Sequence, residues 1–485
     1  IRDRYKILQQ FGFAPTQEQG QALDTFVSFL TDRDPQAVMI LRGSAGTGKT
    51  SLSGAIVRTL LQIRQKVMLL APTGRAAKVF SLGSGAPAYT IHRRIYREKA
   101  FAGVDGQFGL NDNLYTDTLF MVDEASMIAN MGLGGTTFGS GCLLDDLVKF
   151  VYQGHNDRLL LIGDKAQLPP VGEEESPALS ASVMEGYGLK VYECDLNEVL
   201  RQSQSSGILY NATLIRQMIT HDAVTGLPLI RFKGFADIVM MPGAELVESL
   251  GDSYHHVGMD ETMVITRSNK RANIYNNGIR NMVLDREEEL SSGDMLMIVK
   301  NNYFWTEKEK KESGEGSAGA VPAFLANGDR AKVLRVSNYI ELYGFRFATL
   351  LLQLPDYDDY EMQVTGMLDT LQSEAPALTH EQQEELFRQV EEDYQHFVPL
   401  KADRMKSIRQ DAYFNALQIK YAYAVTCHKA QGGQWAHVYV DQGYMTDDML
   451  TPDYIHWLYT AFTRATDKLF LVNWPKEQTC EPTDL

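Results

Sequence analysis

Short continuous apolar runs, each ending in glycine-rich or polar punctuation, recur early in the chain: VMILRGSAG, KVMLLAPTG, TLFMVDEAS and RLLLIGDKAQ. Runs of this kind predict strands buried on both faces, as in a parallel sheet with helices packed outside it. A second set follows: TMVITRSN, YAYAVTCHKAQG, HVYVDQG and KLFLVNW. In both sets the distinctive polar residues come just after the run, where open α/β sheets bind ligands. The pattern predicts an α/β protein with two parallel sheets facing across a cleft.

The stretches between these runs differ in character. Residues 93–117, RRIYREKAFAGVDGQFGLNDNLYTD, predict a loop-and-hairpin excursion within the first sheet domain. EKEKKESGEGSAGA, residues 307–320, is charged and glycine-rich and predicts a mobile stretch. Residues 331–354 have strand character, which suggests a small β insertion, and residues 379–397 predict a polar, acidic helix. No internal repeat is evident.

Composition narrows the class. At 485 residues the chain is long enough for two to four domains, each with its own core. No apolar run approaches the ~20 residues that span a bilayer, and no secretory signal pattern is visible. The chain opens on Ile1 rather than Met, consistent with a longer parent. Cys142, Cys194, Cys427 and Cys480 are scattered with no C-x-x-C pair, which disfavours a disulfide framework or a structural zinc site and fits a reducing cytoplasm. Cys427 beside His428 reads as a small buried residue at a strand end rather than a catalytic thiol. The net charge of −16 argues against a general polyanion binder. A polyanion senses only the groove that it enters, however, so charge alone does not decide the partner.

GSAGTGKT, residues 43–50, lies between an apolar run and a helix-like segment and fits G-x-x-x-x-G-K-[ST]. A glycine-rich turn brings backbone N–H groups of Gly43, Ser44, Ala45, Gly46, Thr47 and Gly48 toward phosphate oxygens at a helix N-terminus. Lys49 then reaches the β- and γ-phosphates of ATP, and the Thr50 hydroxyl ligates Mg²⁺. In FMVDEAS, Asp123 suits contact with the metal and Glu124 suits a general base for the attacking water. Gln167 follows the next run, where an amide can sense the γ-phosphate without adding charge. Arg201 in LNEVLRQ and Arg464 in TAFTRA are candidates to reach that phosphate from a second domain, although each alone is more often a surface ion pair.

GSAGTGKT, APTGRAA, TIH, VDEAS, GDKAQLPP, LRQ, TCHKAQG and YTAFTRA, in that order, resemble the motifs of superfamily 1 helicases. The QLPP and HKAQG forms resemble the superfamily 1B branch, the RecD-like, Pif-type and Dda-like 5′-to-3′ DNA helicases. The resemblance runs from Thr16 to about Leu471. It implies two RecA-like P-loop domains with parallel sheets, a hairpin inserted in the first, and an SH3-like β insertion with a helical extension in the second. The implied boundaries are 1–200 for domain 1A, with the pin at 93–117; 201–300 and 412–485 for the two parts of domain 2A; and 301–411 for the inserted domain 2B. The helical segment 361–411 is longer than a minimal SH3-like insertion needs.

The resemblance also implies roles. In TQEQ, Gln19 becomes a candidate for the adenine edge, against the plain alternative of a helix capped by Thr16 with an exposed glutamine. In AQGGQ, Gly432 and Gln434 fall at the nucleotide, and Gln434 stands where many members carry glutamate, so any ribose contact there is uncharged. Pro72, Thr73, Arg75, Thr90 and His92, then Thr426, His428 and Lys429, become contacts to single-stranded DNA. They are suited to phosphate oxygens rather than to bases; His92 and His428 can equally be structural. In the pin, Phe101 and Phe108 can stack on a terminal base pair or merely staple the hairpin. Asn302, within SGDMLMIVKNNYF at the start of the insertion, is a further DNA candidate. The implied activity is a DNA-stimulated ATPase that moves along single strands and opens duplexes at single-strand/double-strand junctions. It implies a monomeric motor working in a bacterial-type cytoplasm on nucleoid DNA. Three alternatives stay open here: a motor subunit of a recombination nuclease, an RNA-directed motor, and a nucleotide-gated binder that does not unwind.

Overall fold

The computed structural model describes residues 2–12, 14–98, 108–131, 139–200, 204–221, 226–314 and 321–480. Eight strands come first: β1 (Ala37–Gly43), β2 (Lys66–Ala71), β3 (Ala88–Thr90), β4 (Tyr96–Glu98), β5 (Phe108–Leu110), β6 (Thr118–Val122), β7 (Arg158–Gly163) and β8 (Lys190–Leu196). Six of them form one sheet in the order β3-β2-β6-β7-β1-β8, and every pairing in it is parallel. The apolar runs explain this: β6 and β7 are buried along their whole length, as strands with helices on both faces must be. Ile7, Leu23, Phe26 and Phe29 from two N-terminal helices join Leu52, Ile56 and Leu60 of helix Lys49–Gln62 to cover Met39, Leu41, Met121 and Ile162 of the sheet.

The strand order also fixes where a ligand binds. β1 and β7 are neighbours, but the chain runs from β1 toward β2 on one side and from β7 to β8 on the other. Such a reversal opens a crevice at the carboxyl ends of the two strands, where GSAGTGKT and GDKAQ begin. The expected hairpin is present as the antiparallel pair β4–β5, with Tyr96 opposite Leu110 and Glu98 opposite Phe108. Phe101 lies outside the described residues.

The chain divides into two compact units, Ile1–Met241 with Ala430–Val438 and Tyr444–Leu485, and Pro242–Lys429 with Tyr439–Gly443. Within the first unit, β9 (Ile238–Met241) pairs in parallel with the last strand, Ala465–Val472. The second unit holds β10 (Thr262–Thr266), β11 (Met295–Ile298), β12 (Arg330–Leu342), β13 (Phe345–Leu354), β14 (Tyr360–Met367), β15 (Leu417–Tyr421) and β16 (Ala424–Thr426). β10 and β16 pair in parallel, with Thr266 opposite Thr426. β11 to β15 close into a small barrel in chain order, antiparallel except for the β14–β15 contact. The barrel stands where the resemblance implies an SH3-like insertion, and its first and last strands lie just outside residues 301–411. The final strands are β17 (Trp435–Val440), which carries the chain between units, and β18 (Ala465–Val472).

The expected acidic helix is His380–Gln395, opened by a capping box between Thr379 and Gln382. It packs Leu386 and Val390 on Phe345, Phe347 and Met367 of the barrel, with Ile408 from the following helix Lys401–Arg409. One expectation is corrected. The charged stretch at 307–320 opens inside a helix, Phe304–Ser313, with Lys308–Glu312 and Lys310–Glu307 pairs along it. Glutamate and lysine favour helix, and buried Trp305 and Thr306 anchor its first turn; polarity had concealed both effects.

Candidate nucleotide site and nucleic-acid contacts

The phosphate loop leaves β1 and enters helix Lys49–Gln62 through Gly48, whose φ of +82° lies in the left-handed region. The conformation favours glycine, and a Cβ at Gly48 would stand 2.3 Å from Gln19 Nε2, so a side chain there would have to displace the Gln19 amide. Inside the loop, Thr47 Oγ1 donates to Ser44 O at 2.6 Å and Thr47 N donates to Ser44 O at 3.3 Å. Gln19 takes part in the cap expected with Thr16 and also reaches the phosphate loop. Its Oε1 accepts from Thr16 N at 3.0 Å in a capping box, while Nε2 donates to Thr47 O at 3.3 Å. Gln19 is fully buried rather than exposed and ties its helix to the phosphate loop.

A cavity of about 420 Å³ opens over this loop. Its lining brings together Ser44, Ala45, Gly46, Gly48, Lys49 and Thr50 with Asp123, Glu124, Asp164 and Gln167. Asp123 ends the β6 run and accepts from Glu124 N at 2.8 Å. Burial, then the charge of Glu124, pushes the Asp123 carboxyl up to about 6, with Lys49 opposing. Glu124 sits at φ +54°, a conformation that costs a non-glycine residue about 1–3 kcal/mol and is found at functional sites. Glu124 Oε2 and Gln167 Oε1 are buried with no hydrogen-bond partner among the described residues. Unsatisfied acceptors at one cavity fit water, a hydrated cation or a ligand donor. Among the described residues no cluster of three or more His, Cys, Asp or Glu can hold a metal.

The opposite wall comes from Gly432, Gln434, Thr463 and Arg464. Arg464 is only 2% exposed, donating Nε to Thr460 O at 3.0 Å, Nη1 to Gly433 O at 2.9 Å and Nη2 to Thr463 Oγ1 at 3.1 Å. Gly432 has φ +79°, and a Cβ there would lie 3.1 Å from Thr73 Oγ1. Arg201 lies outside the described residues; Leu200, which precedes it, lines the cavity. Asp164, within GDKAQ, also lines the cavity, and no local pattern in the sequence singles it out.

The nucleic-acid candidates of the first unit cluster after β2 and β3. Thr73 and Thr90 each cap a helix, accepting from Ala76 N and Arg93 N. Pro72 precedes Thr73 at the end of β2 and is half-buried. Arg75 donates Nη2 to Gln434 O at 2.5 Å and lies 4.6 Å from the Trp435 ring centroid, so it braces the nucleotide wall. Desolvation pulls His92 down to about 4, which makes it a neutral donor at pH 7. Phe108 is half-buried on β5. In the second unit, Thr426 ends β16, His428 is exposed, and Lys429 Nζ donates to Asn327 Oδ1. Desolvation pulls Lys429 down to about 8. Cys427 is buried, as expected. Asn302 is committed internally: Nδ2 donates to Asn415 O at 2.9 Å and Oδ1 accepts from Trp305 N at 3.3 Å.

Two family models match, an AAA domain over residues 15–226 and a UvrD-like helicase C-terminal domain over residues 421–472. Uncharacterized protein R530 of Acanthamoeba polyphaga mimivirus is 21% identical over 90% of this chain and 96% of its own length. The ATP-dependent RecD2 DNA helicase of Deinococcus radiodurans is 30% identical over 32% of this chain. Uncharacterized protein MJ1519 of Methanocaldococcus jannaschii is 33% identical, also over 32% of this chain. The chain spans only 18% and 13% of the length of these last two. The Pif1 helicase of Bacteroides, solved with ADP-AlF3 and ssDNA, superposes with a TM-score of 0.45 at 13% identity, covering 97% of this chain and 95% of that one. The chain is thus similar to an AAA domain over the stretch that holds the phosphate loop and to a UvrD-like helicase C-terminal domain over the stretch that holds Arg464.

Proposed function

We propose that this protein is an ATP-driven DNA helicase that translocates along single-stranded DNA, 5′-to-3′, and opens the duplex ahead of it. The observation that carries the reading is the convergence of the phosphate loop, Asp123, Glu124, Gln167 and Arg464 on one cavity. A relative over part of the chain is named an ATP-dependent DNA helicase.

In this reading Lys49 and the loop N–H groups that are not spent inside the fold, as those of Ser44, Ala45 and Thr47 are on Leu196 O, Tyr459 and Ser44 O, bind the β- and γ-phosphates. Glu124 Oε2 takes a proton from a water that attacks the γ-phosphorus, while the bond to the β–γ bridging oxygen breaks and ADP leaves. Gln167 Oε1 orients that water, and Arg464 offsets the charge on the transferred group. Thr50 Oγ1 and Asp123 are the residues that would hold Mg²⁺, which supplies charge neutralisation at the phosphates when bound. Arg201 belongs to the same proposal by its place in LRQ. Turnover alternates the grip of two sets of DNA donors, Pro72, Thr73, Arg75, Thr90 and His92 in one unit and Thr426, His428 and Lys429 in the other. We assign domain 2B to the barrel with its helical extension, domain 1A to the six-stranded sheet, and the work to the cytoplasm. Among the described residues no helix is long and apolar enough to cross a membrane.

ATP hydrolysis with and without single-stranded DNA tests the reading. Wild type should be stimulated by DNA, and Lys49→Ala should lose hydrolysis at least about 10²-fold while still binding DNA. Undiminished DNA-stimulated turnover by Lys49→Ala would sink the assignment.

A further inference from the structure

The loop that carries Gln167 is held almost entirely by one helix. Helix Pro452–Phe462 turns His456, Tyr459 and Thr460 to one face, at the three- and four-residue spacing of neighbouring turns. His456 Nδ1 donates to Ala166 O at 2.8 Å, and Thr460 Oγ1 accepts from Leu168 N at 2.8 Å. Gln431 Nε2 adds a bond to Leu168 O at 2.8 Å. Gln167 is thus flanked on both sides by anchored residues. Between His456 and Thr460, the Tyr459 hydroxyl donates to Asp164 Oδ2 and accepts from Ala45 N at 3.0 Å.

That hydroxyl joins two parts of the cavity wall that the strand order leaves on different connections. Ala45 belongs to the phosphate loop after β1, and Asp164 opens the loop after β7; both line the cavity. Asp164 also organises its own loop, accepting from Ala166 N at 3.0 Å through Oδ1 and from Gln167 N at 3.2 Å through its carbonyl. Tyr459 is 1% exposed and Asp164 4%, so bulk water does not replace the bond if the hydroxyl is removed. Burial and the Asp164 charge hold the phenol far above its ordinary range, so it keeps its proton and remains a donor.

We propose that Tyr459 is a positioning residue for ATP hydrolysis: its hydroxyl sets the register between the phosphate loop at Ala45 and the Asp164–Leu168 loop that presents Gln167. The inference rests on the reading of this cavity as an ATP-hydrolysing site and adds a residue outside its lining. A purely structural tyrosine would also be buried and bonded. This one spends its donor and its acceptor on two walls of the reaction site, and its helix neighbours secure the same loop.

Steady-state ATP hydrolysis with saturating single-stranded DNA tests this on wild type, Tyr459→Phe, Asp164→Asn and the double variant. Tyr459→Phe removes one oxygen and should lower kcat about tenfold while KM for ATP moves less than about twofold, because the hydroxyl orients the wall without touching substrate. Asp164→Asn weakens the same link, so the double variant should be no slower than the slower single variant. Should Tyr459→Phe not fold, Thr460→Val removes the anchor at Leu168 N and should show the same fall in kcat at steady KM. An unchanged kcat, an effect carried wholly by KM, or losses that multiply in the double variant would each overturn the proposal. Absence of ATP hydrolysis by wild type would overturn the underlying reading, and this inference with it. Hydrolysis by wild type that is unaltered in the variants overturns this inference alone.

Discussion

Replacing Arg464 by alanine separates its two roles, one in the fold and one in the reaction. The guanidinium is 2% exposed and gives three hydrogen bonds, to Thr460 O, Gly433 O and Thr463 Oγ1. Thr460 O keeps a second donor, Thr463 Oγ1 at 3.0 Å, so the structural loss falls chiefly on Gly433 O. One buried acceptor left short costs about 1–3 kcal/mol, within the ~5–15 kcal/mol that holds a typical domain together. The protein should therefore fold. An arginine offered to a transferred phosphoryl group is worth about 10³–10⁵ in rate, or roughly 4–7 kcal/mol of barrier. Arg464→Ala should lower single-turnover ATP hydrolysis by at least about 10³, with nucleotide affinity changed less than about tenfold. Arg464→Lys keeps the charge but lacks the planar fork that meets three acceptors, and should recover only part of the rate. The assay pairs single-turnover hydrolysis at saturating DNA with a fluorescent-nucleotide titration. Turnover within about threefold of wild type, or a defect carried entirely by binding, would refute the catalytic role and leave Arg464 a structural group.

Two further predictions concern the loop and the DNA grip. Gly48→Ala imposes a left-handed conformation costing ~1–2 kcal/mol and displaces Gln19 Nε2, 2.3 Å from the new Cβ, so KM for ATP should rise more than about tenfold; a normal KM would show that the loop adapts. Lys429 is held at about 8 by desolvation, and a phosphate contact favours its charged form, so affinity for single-stranded DNA should weaken as pH rises from 7 to 9 at fixed ionic strength. Lys429→Arg should remove that dependence, whereas an equal pH response in the variant would place the titrating group elsewhere.

Much of this was legible in the sequence because parallel-sheet strands are written as continuous apolar runs. VMIL, LFMV and LLLI marked β1, β6 and β7, and the residues following them marked the cavity. The ordered motifs then picked out Lys49, Asp123, Glu124, Gln167 and Arg464, which the fold brings together. Local polarity misled at 307–313, where helix propensity and buried Trp305 outweigh the charge run. Gln19 was expected to be exposed if it served the cap, yet it is buried because its amide caps the helix and also bonds Thr47 O, 28 residues away in sequence. Asn302 was a DNA candidate by its place at the start of the insertion; its internal partner Asn415 is too distant in sequence to be read from the pattern. Tyr459 and Asp164 stand inside motifs, but a hydroxyl shared across |i−j| of 295 leaves no local signal. The barrel is of the same kind: its parallel closure of β14 on β15, Gly366 opposite Leu417, follows a long helical excursion.

Strand displacement on duplexes carrying either a 5′ or a 3′ single-stranded tail tests the central claim most directly. With ATP and Mg²⁺, the protein should separate the 5′-tailed duplex and leave the 3′-tailed one largely paired, and Lys49→Ala should separate neither. Equal separation of both, separation of the 3′-tailed duplex alone, or ATP hydrolysis with no separation of either would contradict the account.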